Sequence, residues 1–280
     1  MTTTLRPAGP EESGADGLRS RPFDIRVNGR RAGALRLTVY ATEGDVFGRI
    51  AQLEIAPDDR RRGRATVAAL AAEEVLRGEG CRQVVASVPA TADGALELAR
   101  SLGYLERNLN MAKELPEHPP SLPRGLAARA MTGPEFEDWR VEARERYVRE
   151  WVERGVPETT AEERGRSAHA TLLPEGLATE RAALRVLTHD DLPVGTLWLS
   201  TDPERLPHGA DAYVFSVAVD EKHRGRGHGR ALMIEAERLT RAAGGRVLGL
   251  NVFAGNTPAL RLYASLGYRP VEHHLYKPLG

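Results

Sequence analysis

Val217 to Arg230 reads VAVDEKHRGRGHGR. A branched, apolar run ends near Val219, a glycine-rich turn follows, and Arg230 opens a stretch of helical periodicity. Strand, glycine turn and helix in that order make an anion site. Glycines let backbone amides come close to a ligand, and the first turn of a helix presents N–H groups with no acceptor of their own. Phosphate or pyrophosphate suits such a place, with Arg224, Arg226 and Arg230 adding charge. A solvated basic turn ahead of a helix is the plainer alternative. No Gly-Lys-Ser/Thr follows, which excludes a Walker A loop. Gly229 comes one residue too early after Gly225-x-Gly227 for a dinucleotide fingerprint.

The same pattern occurs earlier in the chain. Arg60-Arg61-Arg62-Gly63-Arg64-Ala65 precedes Arg224-Gly225-Arg226-Gly227-His228-Gly229 by 164 residues. That offset also aligns Leu53–Ile55 with Val217–Val219 and Ser101–Tyr104 with Ser265–Tyr268. Three segments in one register indicate a duplicated domain. Residues 115–129 hold four prolines and read as a linker. The expected domains are therefore 1–114 and 130–280, in keeping with a prior of about 150 residues each.

Periodicity places the elements of the second copy. Pro134–Arg154 reads as a helix stopped by Gly155, with Phe136, Trp139, Ala143, Tyr147 and Trp151 on one face. Its aromatics serve either as core or as the wall of a substrate pocket. A helix at Thr160–Leu172 follows, then strands at Ala183–Leu187, Val194–Leu199 and Ala212–Val219. Helix Arg230–Ala243, strand Val247–Val252, helix Thr257–Leu266 and strand Val271–Lys277 complete it. Thr257 and Pro258 suit the start of that short helix. The first copy offers strands at Phe23–Val27, Ala34–Tyr40 and Gly48–Ile55. It continues with helix Thr66–Arg77, strand Gln83–Val88, helix Gly94–Leu102 and strand Leu109–Lys113. It lacks the two early helices, and residues 8–22 read as a loop.

With those residues in view, the turn resembles motif A of the GCN5-related N-acetyltransferase (GNAT) superfamily, Arg/Gln-x-x-Gly-x-Gly/Ala, through Arg224, Gly227 and Gly229. The segment Asn256 to Tyr268, NTPALRLYASLGY, resembles its motif B. The likeness covers essentially all of the second copy and, more weakly, the first. In architecture it extends to two-domain members such as mycothiol synthase, with nothing that reads their substrate. It implies an α/β (α+β) fold of two tandem domains, each a mixed central sheet flanked by helices. It implies acetyl-CoA as cofactor, and direct acetyl transfer to a primary amine of a small molecule or peptide. Backbone amides of Arg224, Gly225, Arg226, Gly227, His228, Gly229 and Arg230 would hold the pyrophosphate. The main chain of Val217 and Val219 would hold the pantetheine arm, in a gap where the strand splays from its neighbour. Asn256 would contact or position that arm, and Tyr263 would protonate the departing thiolate. A phenol of ordinary pKa near 10 can do so. A plain core role for Tyr263, between Leu262 and Leu266, is the alternative without the motifs.

The base that takes the amine proton is open. Ser216 or Tyr213 can order a water chain. Asp220, Asp211 and His189 are further candidates, His189 reading as an ordinary turn histidine. The first copy keeps Arg60, Gly63 and Ala65, so a vestigial anion turn is expected there. It carries Ala99 at the Tyr263 position and Ala92 at the Asn256 position, so little or no catalysis is expected. A CoA-binding regulatory or scaffold protein is the competing class. Antibiotic-modifying and ribosomal-protein acetyltransferases are competing enzymes.

Composition bounds the rest. Lys+Arg and Asp+Glu are both 39, so the net charge is zero, which argues against a nucleic-acid or polybasic membrane binder. Only Lys113, Lys222 and Lys277 among the cations are lysines. The single cysteine, Cys81, excludes an intrachain disulfide and an all-cysteine zinc site. His223 and His228 read as exposed turn residues, and the adjacent His273 and His274 face opposite ways on a strand, so no metal is expected. No apolar run of about 18 residues spans a bilayer, and the first residues carry no secretory signal. The cytoplasm is the expected compartment, with a homodimer left open.

Overall fold

The computed structural model describes residues 2–14, 17–42, 45–153, 156, 158–204, 206 and 209–280. In chain order the strands of the first copy are β1 (Thr3–Pro7), β2 (Glu12–Ser13), β3 (Leu18–Val27), β4 (Arg30–Thr42) and β5 (Asp45–Ile55). Helix α1 (Arg64–Gly78), β6 (Gln83–Pro89), α2 (Asp93–Ser101) and β7 (Leu105–Glu114) follow. The second copy comprises β8 (Leu126–Ala130), α3 (Gly133–Val152), α4 (Glu158–Leu172), β9 (Ala182–His189), β10 (Leu192–Ser200) and β11 (Ala212–Val219). It closes with α5 (His228–Ala242), β12 (Val247–Phe253), α6 (Thr257–Ser265) and β13 (Arg269–Pro278). Both copies are mixed sheets flanked by helices. Residues 18–22, expected in a loop, belong to β3, and β8 begins inside the expected linker. Leu126 and Ala127 are bonded into place by register against His189 and Thr188 of β9, a long-range pairing no local pattern announces. Gly155 and part of the Thr201–Gly209 loop lie outside the described residues.

Contacts divide the chain into two units, and these are not the contiguous segments 1–114 and 130–280. Unit 1 runs to Leu109 and then takes Phe253–Gly255 and Pro270–Gly280. Unit 2 is Asn110–Val252 with Asn256–Arg269. The terminal strands are thus exchanged. In unit 1, β13 pairs antiparallel with β6 from Glu272↔Pro89 to Pro278↔Gln83. In unit 2, the second half of β7 lies beside β12, and the Leu115 N–H donates to the Arg246 carbonyl at 2.7 Å.

Each unit repeats one plan. Unit 1 orders its strands β1-β3-β4-β5-β6-β13, and unit 2 orders β8-β9-β10-β11-β12 and then β7. The pairs β5–β6 and β11–β12 are parallel, and each is bridged by a helix, α1 or α5, as a parallel crossover requires. Leu35, Leu76, Val84 and Leu275 are buried in the core of unit 1. In unit 2, Phe136, Trp139 and Ala143 of α3 pack with Trp198, so the N-terminal part of the expected aromatic face is core. The Trp139 and Trp198 rings meet edge-on at 5.6 Å. Thr132 and Glu135 form a capping box that starts α3. Among the described residues no helix is long and apolar enough to cross a membrane.

Candidate active site

Strand β11 is where the sheet of unit 2 opens. It pairs with β12 only at Ala212↔Leu248, Tyr213↔Gly249 and Val214↔Leu250. Against β10 the register slips between Trp198↔Ser216 and Leu199↔Val214, which leaves Phe215 as a bulge. A bulge adds twist and ends pairing, so residues beyond it leave β12. The Asp220 N–H donates to the Val194 carbonyl of β10. Peptide directions alternate along a strand, so the main chain of Val217 and Val219 faces the gap.

The turn after β11 fits a pyrophosphate. Gly225 and Gly227 have φ of 75° and 83°, a region that costs other residues, and a Cβ at either would meet nothing within 4 Å. Helix α5 starts at His228 with no side-chain cap and no acid in its first turn. Its first N–H groups stay unsatisfied and its positive end is uncompensated. Gly229 is small for another reason: a Cβ there would sit 3.1 Å from a methyl of Leu262 on α6, which would have to yield by a few tenths of an ångström. The arginines divide. Arg224 Nε donates to the Val219 carbonyl at 3.3 Å and braces the turn, while Arg230 donates to Ser265 Oγ at 2.6 Å.

Helix α6 presents the second motif. Asn256 Oδ1 accepts from the Ala259 N–H at 3.2 Å, so its oxygen caps the helix and its amide N–H₂ remains to donate. Tyr263 is buried, and burial pushes its phenol up to about 12. Its proton is therefore held at neutral pH.

His228 corrects the expectation of an exposed histidine. It is 2% exposed, with Nδ1 donating to the His223 carbonyl at 3.0 Å and Nε2 3.1 Å from His189 Nδ1. The imidazole turns inward because Nδ1 finds that carbonyl, and only the peptide N–H of His228 is left for the turn. His189 is accordingly a packing partner of His228. Among the candidate bases, Asp211 is occupied: its Oδ2 accepts from the Arg246 and Val247 N–H groups, which holds its carboxyl below the usual range. Asp220 is exposed at the foot of the turn.

The structure adds residues that sequence reasoning missed. Tyr213 Oη and Asn251 Nδ2 both donate to Asn110 Oδ1, at 3.1 and 2.8 Å, beside the point where β11 and β12 part. Asn110 comes from β7, so strand exchange delivers it. Arg146 of α3 donates to Ser216 Oγ at 3.1 Å, and burial lowers its pKa. Among the described residues no group of three or more His, Cys, Asp or Glu is placed to hold a metal.

Unit 1 repeats the opening. Strands β5 and β6 pair from Phe47↔Gln83 to Ile50↔Ala86 and then part, after a bulge at Ala51 against β4. Gly63 has φ 72°, and Arg60 Nε donates to the Ile55 carbonyl as Arg224 does to Val219. Ala65 follows in α1. Arg64, in the His228 position, is buried in an ion pair with Asp59. A cavity of about 340 Å³ opens among Leu53, Ser87, Ala92, Ala99 and Tyr104.

The acetyltransferase (GNAT) family model matches residues 6–104 and again 136–268. A mycothiol acetyltransferase of Cellulomonas flavigena is 32% identical over 241 residues, 81% of this chain and 66% of that protein. The uncharacterized N-acetyltransferase YycN of Bacillus subtilis is 29% identical over 148 residues, 52% of this chain and 93% of its own length. Among solved structures, a GCN5-related N-acetyltransferase of Sphaerobacter thermophilus superposes with a TM-score of 0.58 at 20% identity, covering 92% of this chain and 80% of that one.

Proposed function

The chain belongs to the acetyltransferase (GNAT) family, and on that premise we propose that unit 2 carries the transfer, moving an acetyl group directly to a primary amine. That the protein is an acetyl-CoA-dependent N-acetyltransferase with tandem GNAT domains follows from the family itself. Acetyl-CoA supplies an activated acyl carbon and a thiolate leaving group. The observation that carries the assignment to unit 2 is the buried, protonated phenol of Tyr263 on α6. Unit 1 has Ala99 in its place.

The backbone N–H groups from Arg224 to Arg230 hold the pyrophosphate, helped by the end of α5. The main chain of Val217 and Val219 takes the pantetheine arm as an extra strand would, and Asn256 Nδ2 steadies it. Tyr263 Oη gives its proton to the departing sulfur. Tyr213, held by Asn110, and Ser216, held by Arg146, order the water that relays the amine proton. Fixing both reactants supplies much of the rate.

The test is thiol release from acetyl-CoA across a panel of amines, wild type against Tyr263→Phe. Amine-stimulated release that collapses in the variant supports the reading. If no amine stimulates release, the transferase reading of unit 2 fails.

A further inference from the structure

We propose that unit 1 is a second catalytic centre, a thioester hydrolase whose nucleophile is Ser87, activated by His274 and Glu272. The proposal rests on the reading of unit 2 as a CoA-thioester site and extends it to the matching cleft of unit 1, where the strand opening and the glycine turn recur. Ser87 is the first residue of β6 beyond the point where β5 and β6 part, and it lines the cavity there. Strand exchange sets His274 of β13 directly opposite it. Ser87 Oγ is 3.0 Å from His274 Nδ1, His274 Nε2 is 3.1 Å from Glu272 Oε2, and Arg49 Nη2 donates to Ser87 Oγ at 3.3 Å.

The hydrogen positions follow from the acceptors. A carboxylate only accepts, so Nε2 carries the ring proton toward Glu272, and Nδ1 presents its lone pair to Ser87. The serine proton points at Nδ1, and Arg49 occupies an Oγ lone pair. Nucleophile, base and orienting acid within hydrogen-bond reach are the requirement for an activated serine, and roles rather than order in the chain define such a triad. Burial, the larger influence, lowers the pKa of His274 against the pull of Glu272, with Arg49 and His273 adding to the lowering. The ring is therefore neutral at pH 7.

The chemistry balances. Ser87 Oγ attacks the thioester carbonyl while its proton passes to His274 Nδ1. The C–S bond breaks, and the thiolate takes that proton and leaves as a thiol. Water then gives a proton to Nδ1 and attacks the acyl-serine ester. The carboxylic acid leaves and Oγ recovers its proton. Arg49 stabilises the oxyanion. The tyrosine acid of unit 2 has no counterpart here because the imidazolium does its work, and Ala92 and Ala99 leave room in the cavity.

The full chain is treated with an alkyl fluorophosphonate, and modified peptides are located by mass spectrometry. Thiol release from acetyl-CoA is followed in parallel without any amine. Labelling is expected at Ser87, slowed by saturating CoA and abolished in Ser87→Ala and His274→Gln. Amine-independent release is expected to fall by about 100-fold or more in both. Thermal melting of each variant confirms folding, and Ser87→Ala serves if His274→Gln fails it. No label at Ser87, or unchanged release in Ser87→Ala, overturns the proposal. A protein that releases thiol only with an amine keeps the transferase and loses the hydrolase. One that is labelled yet ignores every amine does the reverse.

Discussion

Lys113 lies at the end of the first copy in sequence, yet it holds unit 2 together. Its Nζ is 2.6 Å from Glu237 Oε1 on α5, with side-chain exposures of 17% and 1%. Tyr268 Oη donates to the same oxygen at 3.3 Å, and the ammonium stands 5.7 Å from the centre of the Tyr268 ring. Lys113→Met removes the charge and leaves the carboxylate buried with the phenol alone. Breaking a buried pair from one side costs about 3–5 kcal/mol, and the partial exposure of the lysine argues for about 3. At roughly 2–4 °C per kcal/mol for a unit of this size, the midpoint falls by roughly 6–12 °C. Trp139, Trp151 and Trp198 are the only tryptophans and all belong to unit 2, so tryptophan fluorescence reports that unit. Lys277 makes the equivalent pair with Glu73 of unit 1 at 2.6 Å. Lys277→Met should therefore lower the tryptophan-monitored midpoint by less. Glu237→Met in the Lys113→Met background should recover most of the loss, since an apolar replacement of both partners is tolerated. A Lys113→Met midpoint within about 1 °C of wild type, or a larger drop in Lys277→Met, refutes the exchanged-strand assignment.

Three further outcomes are expected. Tyr263→Phe should cut amine-stimulated turnover by about 10²–10⁴, the range of a lost general acid. Because burial raises this phenol to about 12 from 10, its contribution to stability is complete below pH 10 and is lost as pH rises through about 12, which alkaline unfolding of wild type and variant compares. Gly227→Val forces a branched residue to φ 83° at the start of α5, costing about 1–2 kcal/mol of backbone strain. Calorimetry should show weaker CoA binding, and equal affinity would exclude this turn as the pyrophosphate site. Glu135 is held at about 2, first by the forked Arg129 contact and then by the Thr132 N–H. Its contribution is present above pH 4.5 and lost as pH falls through about 2. Glu135→Gln should thus narrow the acid stability of unit 2, and identical acid unfolding curves would dismiss the cap.

The repeat and both turns were legible because they are local. Glycines at 225 and 227 and a strand-to-helix change of period carry their own meaning in sequence. The exchange of terminal strands was not legible, because β7 and β13 have similar patterns and pairing partners are chosen by long-range contact. One trace of it did exist. Two of the three lysines, Lys113 and Lys277, stand at the repeat offset in a chain that otherwise uses arginine. A compact ammonium fits beside a buried carboxylate and a tyrosine ring where a planar guanidinium fork does not. The inward turn of His228 also escaped the sequence, since it depends on a carbonyl five residues back and on His189 from a distant hairpin.

Exchange also explains how the copies diverged. At the splay point of unit 2 stand Tyr213, Asn251 and Asn110, and at that of unit 1 stand Arg49, Ser87 and His274, position for position at the same offset. The third member of each set arrives on the other copy's last strand. A substitution in β13 therefore changes the chemistry of unit 1, and one in β7 changes that of unit 2. Neither copy can be judged competent or idle from its own sequence segment. The loss of a tyrosine at Ala99 removes one proton donor from unit 1, while the histidine that can replace it is encoded 175 residues later, at His274.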